Sequence, residues 1–312
     1  MATLKVHSLR RYFEKMNTIS TSPASNVQEV ATPSLLNPAL ISRRSGLGFL
    51  LILVGIIFCV ASSLPRIAQP LWYHHFADRR SFIGIPNFGD VASNLPFAVI
   101  GIFGLVALMR ERLDSAARFL EPREMWPYLF FFVGLLLTAF GSAWYHLAPD
   151  NQRLVWDRLP MTVAFMSLVA AIIAERIDLR LGIWLLPILL LIGILSVVQW
   201  NMSEARSQGD LRFYAAVQAY SAVVISFASV LPQRYTRGSD LWLVLGFYVL
   251  AKALELLDAQ VFSALHLVSG HSLKHLAAAA SGYFVLRMIQ RREPLARTPS
   301  RNLCSNGAQN HA

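Results

Sequence analysis

Residues 181–200 read LGIWLLPILLLIGILSVVQW, an uninterrupted run without an acidic or basic side chain. A helix needs about 20 mainly apolar residues to cross the hydrocarbon core of a bilayer. The backbone of a lipid-exposed segment must satisfy its own hydrogen bonds, so only helices and closed barrels span membranes. A barrel strand would alternate apolar and polar residues, and this run does not. The stretch therefore predicts a transmembrane helix.

Similar apolar runs recur along the whole chain. We predict eight transmembrane helices, at 46–64, 91–109, 126–147, 159–174, 181–200, 213–232, 241–257 and 264–288. Hydrophobic residues make up 55% of the chain and charged residues 15%, whereas a soluble domain carries about 25% charged residues. The sequence thus predicts an all-α, polytopic membrane domain over 43–290. We expect the polar stretches 1–42 and 291–312 to be disordered tails.

The net charge of +10 could indicate a nucleic-acid-binding protein, but we assign it to membrane topology and expect no nucleic-acid partner. Basic residues concentrate in short loops, where they determine orientation. Eight spans place the following arginines on one side, together with both termini: Arg43, Arg44, Arg110, Arg112, Arg118, Arg123, Arg176, Arg180, Arg234, Arg237, Arg287, Arg291, Arg292 and Arg297. We expect that side to be cytoplasmic. Cys59 and Cys304 are too far apart in this arrangement to pair, which excludes a disulfide framework.

Polar side chains within or at the ends of apolar spans are costly and mark functional sites. The candidates are Ser142, His146, Asp157, Lys252, Glu255, Asp258, His266, His271 and His275. His271 and His275 are four residues apart, so both imidazoles would leave one face of a helix and could bind one zinc ion. Ser142 and His146 share the same spacing. The structural alternatives are a serine that packs between helices and an N-cap role for Asp157.

The predicted helix directions bring five of these residues to one depth, on the non-cytoplasmic side. They are Ser142, His146, Asp157, His271 and His275. Three histidine ligands with one open coordination position are typical of a catalytic zinc site, in which bound water has a pKa of about 7. A carboxylate such as Asp157 could then transfer protons, and the Ser142 hydroxyl could donate to an oxyanion.

The order and spacing of these residues resemble the alkaline ceramidases, which belong to a superfamily of seven-helix membrane hydrolases that includes the adiponectin-receptor-like proteins. Asp157 follows His146 by eleven residues, and the run from Asp157 to Met161 is similar to the ceramidase Asp-x-Leu-Pro-Met. The receptor branch would more often show Asp-Tyr-x-Gly-Ile. The stretch Asn87 to Asn94 is similar to the start of the first core helix. The resemblance covers about 74–290.

This resemblance implies a zinc-dependent hydrolase that cleaves the amide bond of ceramide to a fatty acid and a sphingoid base. It implies zinc ligation by His146, His271 and His275. It also implies proton transfer by Asp157 and oxyanion stabilisation by Ser142.

Two features depart from the eukaryotic members of this family. The stretch His74 to Arg80 lacks the acidic, Trp-containing calcium motif, and Asn87 stands where a Glu is expected, so we expect no calcium site. Residues 46–64 add one helix ahead of the seven-helix core. Both departures fit the bacterial-type branch. We therefore expect a bacterial inner-membrane protein whose substrate is ceramide or a related N-acyl lipid.

The remaining polar residues leave alternatives open. Lys252 and Glu255 could form a neutralised pair with Asp258 nearby, which we favour, or part of a substrate or proton pathway. His266 could orient a metal ligand or lie at the membrane interface. Other functions are a receptor with structural zinc, a transporter that uses the Lys252 region as a relay and, least favoured, a bis-histidine haem protein.

Overall fold

The computed structural model describes residues 43–113 and 118–295, and regular structure within them is helical apart from two isolated β-bridges. Eight helices of 17 to 27 residues account for most of the described chain. They are α1 (Arg43–Ser63), α2 (Leu95–Leu113), α3 (Met125–Leu147), α4 (Asn151–Arg176), α5 (Leu179–Ala205), α6 (Arg212–Ser229), α7 (Asp240–Leu256) and α8 (Gly270–Arg291). The predicted all-α class is therefore confirmed.

Four shorter helical segments join the long helices. Two are α-helical, Phe88–Ala92 and Asp258–Leu265, and two are 3-10 turns, Leu71–His74 and Pro122–Glu124. Five segments of the described chain are long and apolar enough to cross a membrane: Ser45–Ser63, Phe88–Arg112, Pro122–Leu147, Asn151–Arg176 and Leu179–Ala205. They support a membrane protein. The predicted count of eight spans stays a prediction, as does the seven-helix core with one added span.

The start of α4 differs from the sequence-based prediction of a helix over 159–174. The helix begins at Asn151 because the Asp150 carboxylate caps it, accepting a hydrogen bond from the Arg153 backbone N–H at 2.7 Å. Asp157 therefore lies in the second turn of α4. The alternative that Asp157 is an N-cap is wrong.

The predicted helix over 264–288 is interrupted near its start. The short helix Asp258–Leu265 ends at His266, which adopts a left-handed conformation with φ 56°. The helix α8 then begins at Gly270, where an added Cβ would lie 2.5 Å from the Leu254 carbonyl oxygen. The predicted 91–109 helix is also divided, because the chain turns at 93–94 between the short helix Phe88–Ala92 and α2.

Close packing of α3 against α4 brings two parts of the predicted site together. A Cβ added to Gly134 would lie 2.8 Å from the Ala164 backbone nitrogen, and one added to Gly141 would lie 1.9 Å from the Trp156 carbonyl oxygen. Small residues allow helices to approach this closely. On α4, Val169 and Ile173 are fully buried in a cluster with apolar residues of α1, α5 and α6.

The first long helix, α1, lies at the edge of the bundle. Its Phe49 ring stacks on Phe227 of α6 at 3.6 Å between centroids, while Leu51, Ile52 and Phe58 are exposed. An apolar helix with an exposed face is suited to contact with lipid.

The chain after α8 packs back on the loop that follows α6. Tyr235 forms a β-bridge with Pro294, and the Leu295 backbone N–H donates to the Arg234 carbonyl at 2.9 Å. Residues 291–295 of the predicted C-terminal tail therefore belong to the packed structure. The predicted tails at 1–42 and 296–312 lie outside the described residues.

Candidate metal centre

Three histidines from two helices meet in the interior of the bundle. His146 comes from the last turn of α3, and His271 and His275 come from the first two turns of α8. Each pair of imidazole rings is 4.9 Å apart between centroids. One nitrogen of each ring lies within 4.8 Å of the others. This histidine triad is buried and could hold a metal ion, as the sequence predicted.

The start of α8 is fixed by two side-chain caps. The Ser269 hydroxyl accepts from the Ser272 backbone N–H at 3.0 Å. The Asp258 carboxylate accepts from the backbone N–H groups of His271 at 2.8 Å and Ala77 at 2.9 Å. Asp258, a candidate site residue in the sequence, thus binds backbone groups and stabilises the start of the helix that carries His271 and His275.

The short helix Phe88–Ala92 supplies a partner that orients His275. The Ser93 hydroxyl donates to the Asp90 carbonyl at 3.0 Å and lies 2.8 Å from His275 Nδ1. Because the hydroxyl has one hydrogen, it accepts from His275 Nδ1–H. The lone pair of His275 is then on Nε2, as metal binding through that atom requires.

The other two histidines differ in their contacts. His271 Nε2 lies 3.3 Å from Lys274 Nζ, which can only donate, so Nδ1 is the nitrogen of His271 left for a metal when that hydrogen bond forms. His146 Nδ1 is buried and has no hydrogen-bond partner within the described residues. A buried nitrogen without a partner is costly, and a bound cation would satisfy it. The residues therefore fit a divalent metal ion with three imidazole ligands.

Ser142 and Asp157 lie side by side where α3 and α4 are closest, next to Gly141. Both side chains are buried, and Ser142 is one helical turn from His146. The Ser142 hydroxyl is close enough to interact with the Asp157 carboxyl, yet it has no hydrogen bond of normal geometry within the described chain. The buried Ser142 hydroxyl thus lies one helical turn from His146, with the buried Asp157 carboxyl beside it.

A partly buried ion network beside the triad involves a lysine that the sequence did not single out. Glu255 Oε1 accepts from Lys274 Nζ at 2.7 Å and from the Tyr73 hydroxyl at 3.1 Å. Glu255 Oε2 accepts from Lys252 Nζ at 2.9 Å. The predicted Lys252–Glu255 pair is therefore confirmed, and Lys274 joins it. The sequence signal that could have identified Lys274 was a lysine three residues after His271, in a mainly apolar helix.

Asp90 is a second residue that the sequence did not single out. It is fully buried, and its Oδ1 accepts hydrogen bonds from Ser272 at 2.7 Å and Ser269 at 3.3 Å. Its Oδ2 has no partner among the described residues. Asp90 therefore links the short helix Phe88–Ala92 to the first turn of α8.

The loop that precedes this short helix covers the triad. Phe76 packs against the rings of His146 and His271 at 4.6 and 4.5 Å. The Arg80 guanidinium donates two hydrogen bonds to Asp78 and holds the pKa of that carboxyl below its usual value. Arg80 also donates to the carbonyls of His266 and Leu267. The loop is thus anchored to the chain ahead of α8.

Several predicted residues lie outside the triad itself. The His266 ring is exposed, and the residue contributes its carbonyl to Arg80. The His74 ring contacts the Tyr145 hydroxyl at 2.8 Å and Asn151 Oδ1 at 2.9 Å, so it joins the facing ends of α3 and α4. Asn87 donates to the His146 carbonyl at 2.8 Å.

A cavity of about 380 Å3 runs between α3, α4, α6, α7 and α8. Its walls are mainly apolar, and on α6 they extend from Tyr214 to Ile225, which is about 16 Å along the helix axis. One end is polar and is formed by Tyr73, Arg158, Lys252, Glu255 and Lys274. Lys274 also lies 3.3 Å from His271 Nε2, so the polar end of the cavity adjoins the candidate metal centre through this residue.

Comparisons with known proteins add no assignment. No protein-family model matches the chain, and no curated protein matches it at a significant level. The resemblance to the alkaline ceramidases rests on the sequence motifs and stays a prediction.

Proposed function

We propose that the protein is a membrane-embedded, zinc-dependent amidohydrolase that cleaves the amide bond of ceramide or a related N-acyl lipid. One observation carries the proposal. The histidine triad lies one helical turn from the buried Ser142 hydroxyl, and Lys274, which lines the polar end of an apolar cavity, lies 3.3 Å from His271 Nε2. Such a cavity suits an acyl chain. We further propose that both termini are cytoplasmic and that the triad lies toward the opposite side of the membrane.

Hydrolysis adds water across the amide bond. The acyl carbon gains OH as the C–N bond breaks, and the nitrogen gains a proton, which yields a fatty acid and an amine. Zinc, when bound to His146, His271 and His275, supplies Lewis acidity that makes hydroxide available at neutral pH. Asp157 accepts the proton that the attacking water loses and returns it to the leaving nitrogen. Ser142 donates a hydrogen bond to the carbonyl oxygen as negative charge develops there.

Substitution of the ligands tests this proposal. Full-length His271→Ala and His275→Ala proteins, purified in lipid nanodiscs, should lose bound zinc and hydrolysis of N-acyl lipids together. His266→Ala is the matched control because its ring is exposed nearby, and it should keep wild-type zinc content. Stoichiometric zinc in both ligand variants would show that the site is assigned wrongly.

A transporter is the second candidate, and the Lys252–Glu255–Lys274 network that faces the cavity favours it. Asp258, the third member of the relay considered from sequence, binds backbone N–H groups instead. Flux into proteoliposomes that is abolished by Glu255→Gln but unaffected by zinc chelation would favour transport. Binding of an N-acyl lipid without turnover would favour a receptor of the adiponectin-receptor-like type.

A further inference from the structure

Arg158 is a buried arginine at the polar end of the cavity, one residue after Asp157. Its side chain is 5% exposed. The guanidinium carbon lies 4.2 Å from the centre of the Trp200 ring, 4.8 Å from that of Tyr214 and 5.6 Å from that of Tyr73. Three aromatic rings therefore hold this cation in place.

The hydrogen bonds of Arg158 are incomplete. Nη2 donates to Gln69 Oε1 at 2.6 Å, whereas Nη1 is buried without a partner in the part of the chain that the structure describes. No ion pair joins Arg158 to a carboxylate within residues 43–113 and 118–295. A buried guanidinium without a counter-charge is costly. Its cost is recovered if an anion binds there.

The charges around the cavity favour an anion with one negative charge. Lys252 and Lys274 both pair with Glu255, whereas Arg158 has no carboxylate partner among the residues that line the cavity. The guanidinium of Arg158 carries one positive charge. A carboxylate carries one negative charge, whereas a phosphate monoester carries about 1.5 to 2. The planar guanidinium also matches the geometry of a carboxylate.

Direct contacts connect Arg158 to the triad. The guanidinium lies over the Tyr73 ring, and the Tyr73 hydroxyl bonds to Glu255. Glu255 bonds to Lys274, which lies 3.3 Å from His271 Nε2. Arg158, Glu255 and Lys274 therefore line the same polar end of the cavity, and this end contacts the triad through Lys274.

We infer that Arg158 binds a carboxylate on the head group of the substrate, so that the preferred lipid is an N-acyl amino acid. This inference rests on the proposed amidohydrolase function and narrows its substrate class. The acyl chain occupies the apolar part of the cavity, and the head-group carboxylate pairs with Arg158 Nη1. A neutral ceramide would leave that nitrogen unpaired.

Two substrates that differ in one group test the inference. N-palmitoylglycine and N-palmitoylethanolamine share the acyl chain and the amide, but only the first has a carboxylate. For the zinc-loaded full-length protein we expect kcat/KM to be at least about tenfold higher for N-palmitoylglycine, because hydrogen bonds to charged groups are worth that much. Arg158→Gln should bring the ratio of the two values close to one. Arg158→Lys, which keeps charge but loses the planar geometry, should give an intermediate ratio.

Arg153→Gln is the matched control. Arg153 lies in the same helix and also stacks on a tryptophan, Trp144, at 4.3 Å, but it does not line the cavity. The variant should keep the wild-type ratio. Equal kcat/KM values for the two lipids in the wild type would overturn the inference and leave the hydrolase intact, and this comparison does not depend on any variant folding.

Calorimetric binding separates this inference from the proposed function. If neither lipid is hydrolysed, at least about tenfold tighter binding of N-palmitoylglycine than of N-palmitoylethanolamine, lost in Arg158→Gln, would support the carboxylate site and overturn the hydrolase. Equal binding of the two lipids without turnover would overturn both.

Discussion

Arg158 and Arg292 are two buried guanidinium groups in similar aromatic surroundings, but only Arg292 has a counter-charge. Arg292 lies over the rings of Phe119, Tyr128 and Tyr235 at 4.2, 5.3 and 4.1 Å, and it forms an ion pair with Glu175. Arg158 also lies over three rings, yet it has no acidic partner within the described chain. Glu175 and Arg158 lie on α4, about 25 Å apart along its axis.

The presence or absence of a counter-charge distinguishes Arg292, which has a structural role, from Arg158, which is suited to bind a ligand. Both arginines leave one nitrogen without a partner, but the charge of Arg292 is neutralised by the protein and that residue does not line the cavity. The charge of Arg158 is not neutralised, and it faces the space that leads to the triad. One end of α4 therefore stabilises the fold, and the other is arranged to receive a ligand.

The largest expected effect is at the Arg292 end. Glu175→Ala leaves the buried Arg292 without its counter-charge, which should lower the free energy of unfolding by about 3–5 kcal/mol. Reversible denaturation in detergent would measure this loss. Glu121→Ala is the control, because Glu121 is exposed and should change stability by less than about 0.5 kcal/mol. Equal stability of the two variants would show that the Arg292 pair is not structural.

Near the histidine triad, Gly141→Ala should move α3 away from α4. An added Cβ would lie 1.9 Å from the Trp156 carbonyl oxygen, so we expect a loss of about 1–3 kcal/mol in stability together with lower zinc occupancy. Gly246→Ala is the matched control in α7, where nothing lies within 4 Å of the added Cβ. That variant should be neutral or slightly more stable. Wild-type zinc occupancy in Gly141→Ala would show that the α3–α4 contact does not position the site.

A smaller effect is expected for Ser93→Ala, which removes the group that orients His275. Zinc affinity should fall by about 10- to 100-fold, since partners of metal-binding histidines contribute this much. Competition with a chelator would measure it. Ser226→Ala removes an exposed hydroxyl that bonds only to its own helix and should leave zinc affinity unchanged. An unchanged affinity in Ser93→Ala would refute the assigned role.

The smallest expected effect is the change in stability when Arg158 itself is replaced. Arg158→Met removes aromatic contacts but also relieves an unpaired buried charge, so the net change in stability should be about 1 kcal/mol or less. Arg292→Met, which leaves Glu175 buried and unpaired, should cost several times more. Denaturation curves measured in parallel would show this ranking. The reverse ranking would mean that Arg158 is the structural arginine.

Much of this fold could be predicted from sequence because hydrophobic runs determine where helices form in a membrane. The triad could also be predicted, because the four-residue spacing of His271 and His275 and the direction of each helix bring them to the end of α3. The start of α4 could not, since Arg153, Asp157 and Arg158 interrupt the apolar run there. The charged side chains that interrupt this hydrophobic run contact groups from other helices and loops, such as Trp144 for Arg153 and Gln69 for Arg158.

Lys274, Asp90 and Arg158 could not be predicted as site residues from the sequence for a similar reason. Each is a single polar residue whose partners are distant in sequence, such as Gln69 for Arg158 and Ser272 for Asp90. The spacing of neighbouring residues in the sequence does not indicate such a contact. Only the packing of separate helices and loops brings each of these residues to its partners.

The most direct test of the central claim compares Asp157→Asn with the wild type in a single preparation, with zinc per chain and hydrolysis of an N-acyl lipid measured together. Asparagine keeps the size of the side chain but cannot transfer the proton. We expect one zinc ion per chain in both proteins and a loss of at least about 100-fold in kcat in the variant. Turnover at the wild-type rate in Asp157→Asn, or a wild-type protein that hydrolyses lipid without zinc, would contradict it.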